Sequence, residues 1–174
     1  YIKAKPRGVA CHWLSGNVPV LGMLTLVQGI ITKNVNLLKA ASSYSHAIPL
    51  LLSAFKGESY TTPGGHMISG DELLKTIAVV HFSHGNLTLA KKMSSAANVR
   101  LAWGGADAVR HVCSLPKAWN TEDLVFGPKL SFMVIGAGAI DNERSLKRIA
   151  RRAATDASVF DQTACASPHT IFVE

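Results

Sequence analysis

Short apolar runs alternate with amphipathic stretches along almost the whole chain, and few folds accommodate that alternation. Apolar runs too short for helices suit strands buried on both faces. Helical-period segments between them suit crossovers that return the chain to the same edge of a parallel sheet. The pattern predicts strands over 8–14, 35–39, 76–82, 99–103 and 130–135, with helices over 18–33, 45–56, 86–97, 106–114 and 142–157. The expected class is therefore α/β, a Rossmann-like, doubly wound and mainly parallel five-stranded sheet. Asn17, Val18 and Pro19 open the first helix, where Asn can cap and Pro fits the first turn. The segment 57–70, containing Thr61-Thr62-Pro63-Gly64-Gly65, reads as a long loop. The last apolar segment, 170–173, stops at Glu174 without a turn, as though a further domain should follow.

With 174 residues, 48% of them hydrophobic and 17% charged, the chain can bury a substantial core and fits one domain or a large piece of a bigger protein. Cys11, Cys113 and Cys165 are odd in number and widely spaced, which gives neither a disulfide framework nor a zinc knuckle. A reducing cytoplasm is the simplest compartment. The chain opens without a signal peptide pattern, and its longest apolar stretch, 18–31, is too short to span a bilayer. The net charge is +7, concentrated in Arg144, Lys147, Arg148, Arg151 and Arg152 on the polar side of an amphipathic helix. Without interleaved aromatic residues that face is a poor nucleic-acid reader; it suits an anionic cofactor or an acidic partner equally well.

Ligands of open α/β sheets bind beyond the carboxyl ends of the strands. Gly136-Ala137-Gly138 follows a strand and precedes a helix, but Asp141 stands where the third glycine of a dinucleotide fingerprint belongs. That turn reads as structural, with Asp141 as a helix cap. Gly104 and Gly105 follow the strand 99–103 and open a helix, so they form either a phosphate cradle or a plain tight turn. After the second strand Lys39, Ser42 and Ser43 replace the acid that would bind an NAD ribose. They suit a 2′-phosphate and hence NADPH, or else they are a solvated lysine beside a serine cap. Asn17 can donate to a developing oxyanion or cap its helix. His81 and His84 lack a third ligand, so no metal site is expected. Cys165 lies among small and polar residues, a setting that suits a working thiol, and His169 follows close enough in sequence to polarise it.

Taken in order, Gly16-Asn17-Val18-Pro19, Leu38-Lys39-Ala40-Ala41-Ser42-Ser43, Trp103-Gly104-Gly105, Gly127-Pro128-Lys129-Leu130-Ser131-Phe132 and Asp161-Gln162-Thr163-Ala164-Cys165-Ala166-Ser167-Pro168-His169 resemble the long-chain acyl-CoA reductase family of bacterial bioluminescence (LuxC type), within the aldehyde dehydrogenase superfamily. The resemblance implies the cofactor-binding half of an aldehyde dehydrogenase-like fold. It implies a dinucleotide-binding domain over 1–160, and a nucleophile loop and the start of a catalytic domain over 161–174. It further implies NADPH-dependent reduction of a fatty acyl thioester to an aldehyde. In that scheme Cys165 is the acyl-accepting nucleophile and Asn17 binds the thioester oxygen. Lys39 and Ser42 lie near the ribose and its phosphate, and Gly104 and Gly105 near the pyrophosphate. Val125 occupies the position at which aldehyde-oxidising members carry a water-activating glutamate. The implied partners are fatty acyl-CoA or an acyl-protein thioester, an acyl-protein synthetase, and further copies in a homo-oligomer. A CoA-acylating aldehyde dehydrogenase and a non-catalytic nucleotide-binding or assembly module are the alternative readings.

Overall fold

Five parallel strands form the centre of the first of two compact units, Tyr1–Gly127 and Pro128–Glu174, into which the chain divides. The computed structural model describes residues 3–18 and 20–174, so Pro19, expected in the first helical turn, lies outside the described residues. In chain order the first unit contains β1 (Val9–Trp13), α1 (Leu21–Ile31), β2 (Val35–Lys39), α2 (Ala47–Leu52), β3 (Ser59–Thr61), β4 (Met67–Ser69), α3 (Gly70–Leu74), β5 (Ile77–Val80), α4 (Leu87–Ala96), β6 (Val99–Trp103), α5 (Ala106–Ser114) and β7 (Glu122–Phe126). The sheet order is β5-β2-β1-β6-β7, every neighbouring pair parallel. The chain winds outward from β1 through β2 and β5, then returns to the other side of β1 for β6 and β7. That reversal places a topological switch point between the carboxyl ends of β1 and β6.

Alternating side chains divide the core between the two faces of the sheet. Cys11, Trp13 and Ala102 pack with Ala90 and Met93 of α4 and Val112 of α5. On the opposite face Leu38 packs with Leu26 of α1 and with Ile48 and Leu52 of α2. Asn86 caps α4 by accepting from the Leu89 N–H at 3.1 Å. The start of β1 is tied to its neighbours by side chains: Asn34 Oδ1 accepts from the Arg7 and Gly8 N–H groups, and Asn98 Oδ1 from Val9 N–H.

Two ionisable side chains, His12 and Arg100, are buried inside this apolar sandwich, each with hydrogen-bond partners. His12 lies within 2.9 Å of Thr25 Oγ1 through Nδ1 and 3.1 Å of Asn36 Oδ1 through Nε2; Trp103 Nε1–H also donates to Thr25 Oγ1. Arg100, completely buried, donates through Nε and Nη2 to the two carboxylate oxygens of Asp123 at 2.6 and 2.7 Å, and through Nη1 to Ser94 Oγ and the Leu115 carbonyl. This bidentate pair satisfies the guanidinium and fastens β7 to β6.

Three expectations for residues up to 135 need correction. The fifth strand of the sheet is β7, which the apolar pattern did not predict. The segment expected in its place is β8 (Ser131–Ile135), which belongs to the second unit. The expected loop 57–70 holds the antiparallel β3–β4 hairpin and leads into α3, whose Ser69 cap accepts from Glu72 N–H. α1 starts at Leu21 with Val20, not Asn17, in the N-cap position.

The second unit is a β–α–β arrangement: β8, α6 (Glu143–Ser158) and β9 (Pro168–Val173), with β8 and β9 parallel and an irregularity between Ser131 and Phe132. Asn142 and Ser145 form a reciprocal capping box at the start of α6, so the cap is Asn142 rather than Asp141. Gly136-Ala137-Gly138 is part of a short 3-10 turn whose Ala137 N–H donates to the Glu174 carboxylate at 3.0 Å.

Candidate functional site

Register aligns the carboxyl ends of the five strands, because Trp13 pairs with Lys39 and Ala102, Lys39 with Val80, and Trp103 with Phe126. The turns that follow these residues therefore share one edge of the first unit. Asn17 is half-buried in the bend after β1. Ser43 Oγ donates to the Gly16 carbonyl at 3.0 Å, tying that bend to the 3-10 turn Ser42–Tyr44 after β2. Asn17 on one side and Gly104 and Gly105 on the other flank the switch point. Lys39 and Ser42 lie one strand further out. Within the first unit the structure thus places five of the six sequence-predicted site residues on a common edge.

The turn at Gly104 and Gly105 has a specific backbone requirement. Gly104 has φ of +151°, a conformation L side chains rarely adopt, and an added Cβ would come within 3.1 Å of Ala108 Cβ. Gly105 occupies the N-cap position of α5, no side chain caps the helix, and an added Cβ would meet nothing within 4 Å. Open space in front of a nine-residue helix whose first N–H groups have no side-chain cap fits a phosphate.

Lys39 carries its ammonium 5.3 Å from the centroid of the Phe82 ring, and partial burial lowers its pKa. Beyond it, two histidines that the sequence gives no reason to join come together. His84, after β5, and His111, on α5, have ring centroids 4.4 Å apart. The pKa of His111 is lowered, first by burial and then by the charges of His84 and Lys39. His81 Nδ1 lies 3.3 Å from the Ala40 carbonyl. The sequence shows His81 and His84 only as a close pair; the packing of α5 brings His111 to His84. Among the described residues no group of three or more His, Cys, Asp or Glu side chains is arranged to hold a metal ion.

Cys165 belongs to the second unit. It is exposed, in the turn between the end of α6 and β9, and its carbonyl accepts from Ser131 Oγ at 2.6 Å. Phe160, Asp161 and Gln162, just before it, all have positive φ, 55°, 51° and 59°. Such a run of left-handed non-glycine residues costs about 1–2 kcal/mol each and is characteristic of functional loops. Ala164 and Ala166, on either side of Cys165, line a cleft of about 400 Å³ with Met133, Val159 and Pro168. His169 is exposed on β9 and makes no hydrogen bond with the thiol. Cys11 contrasts sharply: completely buried, its thiol pKa is pushed up to about 12 by desolvation, with Arg100 opposing.

The whole chain, residues 1–174, matches the family model described as Acyl-CoA reductase (LuxC). It is 33% identical over 173 residues to the long-chain acyl-protein thioester reductase of Photorhabdus luminescens, and 32% identical over 180 residues to long-chain acyl-protein thioester reductase 2 of Photobacterium leiognathi. Each alignment takes in 99% of this chain and 33% of the relative, so the chain spans about one third of the curated relatives' length. Among solved structures it resembles a putative aldehyde dehydrogenase from Burkholderia cenocepacia, with a TM-score of 0.73 and 15% identity over 98% of this chain and 32% of that one. A putative aldehyde dehydrogenase from Anabaena variabilis gives a TM-score of 0.69 and 14% identity over 97% and 32%. These likenesses confirm an aldehyde dehydrogenase-like α/β fold.

Proposed function

Since the chain belongs to the acyl-CoA reductase (LuxC) family, we propose that it supplies the cofactor-binding domain and the acyl-accepting thiol of an NADPH-dependent reductase that converts fatty acyl thioesters to aldehydes. The observation that carries this reading is an exposed thiol, Cys165, in a strained turn beside a cleft, in a chain whose other expected site residues share one sheet edge. The functional boundary we assign is cofactor binding over residues 1–160 and the nucleophile loop from 161 onward.

Cys165, as thiolate, attacks the carbonyl carbon of the thioester. The tetrahedral oxyanion is stabilised by the Asn17 side-chain amide, and collapse expels the CoA or carrier thiolate to leave an acyl-cysteine. The chemistry that a bound nicotinamide supplies is a hydride to the acyl carbon. Cys165 then leaves as thiolate, and the aldehyde is released. Gly104 and Gly105 would hold the pyrophosphate at the start of α5, while Lys39 and Ser42 would hold the ribose and its 2′-phosphate. Val125 in β7 offers no carboxylate to activate water, which preserves the acyl-cysteine for reduction.

The test is to supply the full-length protein with a long-chain acyl thioester and either NADPH or NADH, and to measure fatty aldehyde. Aldehyde formed with NADPH and abolished in Cys165→Ala is the expected result. Unchanged aldehyde production by Cys165→Ala would remove the proposed chemistry.

A further inference from the structure

The grouping of Lys39, His84 and His111 is absent from the scheme above, and it brings three cation-forming side chains from three separate elements to the carboxyl edge of the sheet. Lys39 ends β2, His84 lies after β5, and His111 is on α5. The two imidazoles are 4.4 Å apart, centroid to centroid, with planes inclined at 45°. Asp107, one turn before His111 on α5, has its carboxylate paired with Arg110 on the same helix, and the charges that act on His111 are those of His84 and Lys39. His81, just past the end of β5, has its Nδ1 3.3 Å from the Ala40 carbonyl. Three positive or proton-accepting groups crowded together without a carboxylate of their own are electrostatically unfavourable when all are charged, and a multiply charged anion reverses that sign.

We propose that Lys39, His84 and His111 together form a receptor for a phosphomonoester dianion, the 2′-phosphate of NADPH, with the imidazole pair supplying the selectivity for phosphate over hydroxyl. The inference rests on the NADPH reading and extends it to two residues for which neither sequence nor fold gives a role. Burial and the neighbouring cations favour neutral His111 in the free protein. A bound dianion favours the imidazolium, so binding draws a proton from solvent onto the ring. Each histidine then donates an N–H to a phosphate oxygen, and Lys39 contributes its ammonium.

Calorimetry of the full-length protein with adenosine 2′,5′-bisphosphate and with AMP tests this directly. In two buffers of different ionisation enthalpy, the bisphosphate should bind with net proton uptake and AMP without it. Above pH 7 the phosphate is already a dianion, so bisphosphate affinity should fall by about tenfold between pH 7 and pH 8.5. His111→Gln should lose both the proton uptake and the pH slope, and His84→Gln should lower bisphosphate affinity towards that of AMP, with thermal midpoints unchanged. If the bisphosphate is preferred but both variants retain that preference and the proton uptake, the histidine receptor is wrong while NADPH binding stands. Equal affinity for the two nucleotides, or binding of neither, overturns the NADPH reading and the receptor together.

Discussion

Arg100 and His12 are the residues on which the interior depends most sharply, because each is a polar group from which water has been removed. Asp123→Ala would strand the guanidinium in the core and should cost about 3–5 kcal/mol, seen as a lower urea midpoint. Arg100→Met should cost less, since Lys117 Nζ, 2.8 Å from Asp123 Oδ2, still partners the carboxylate. His12 has its pKa lowered to about 4, by burial first, with its bond to Asn36 opposing. The unfolded chain therefore takes up the proton first as pH falls. The contribution of His12 to stability should be fully present above about pH 6.5 and fall by about 3 kcal/mol as pH drops to about 4. A His12→Gln variant should show a flattened urea midpoint across that window; an unchanged slope would contradict the assignment. The thiols separate in the same way: iodoacetamide should modify Cys113 and Cys165 in the native protein and spare Cys11, as peptide masses would show. Exposure of Cys165 accords with its small and polar sequence neighbours. Burial of Arg100 does not follow from sequence, because its partner lies in a strand that the apolar pattern missed.

At the level of elements, the N-terminus of α5 gives the clearest separation of stability from binding. Gly105→Asp adds a capping carboxylate with room for its Cβ, so thermal stability should hold or rise by up to about 1 kcal/mol. The same carboxylate opposes a phosphate, and NADPH affinity measured by fluorescence titration should fall by at least about tenfold. Unaltered affinity would place the pyrophosphate elsewhere. Strands β1 and β6 were legible because both faces are buried and four of their five residues are apolar, and β2 because Val35, Leu37 and Leu38 give it an apolar majority although one face is only partly covered. The edge strand β7 was not. It begins with Glu122 and Asp123, the latter engaged by buried Arg100, and it leaves Leu124 and Val125 exposed, so its pattern is neither alternating nor wholly apolar. β8 carries a stronger apolar signal but pairs with β9, and partner choice depends on long-range geometry that a local pattern does not contain.

On the scale of the molecule, the five-stranded parallel sheet lies in the first unit, 1–127, and Cys165 lies in the second, 128–174. Order along the chain made the class legible: five short motifs, none specific alone, occur in the sequence expected of one family, and the family model matches every residue from 1 to 174. The meeting of His84 with His111 was not legible, since it depends on how α5 packs beside the turn after β5. No helix among the described residues is long and apolar enough to cross a membrane. The proposed reduction depends above all on covalent capture of the acyl group by the Cys165 sulfur. Full-length protein should therefore be incubated with labelled long-chain acyl thioester in the absence of nicotinamide, digested, and the label located by peptide mass. Label confined to the peptide that contains Cys165, and absent from Cys165→Ala, is the predicted result. Stoichiometric acylation of Cys165→Ala, or label on the Cys113 peptide of the unaltered protein, would contradict it.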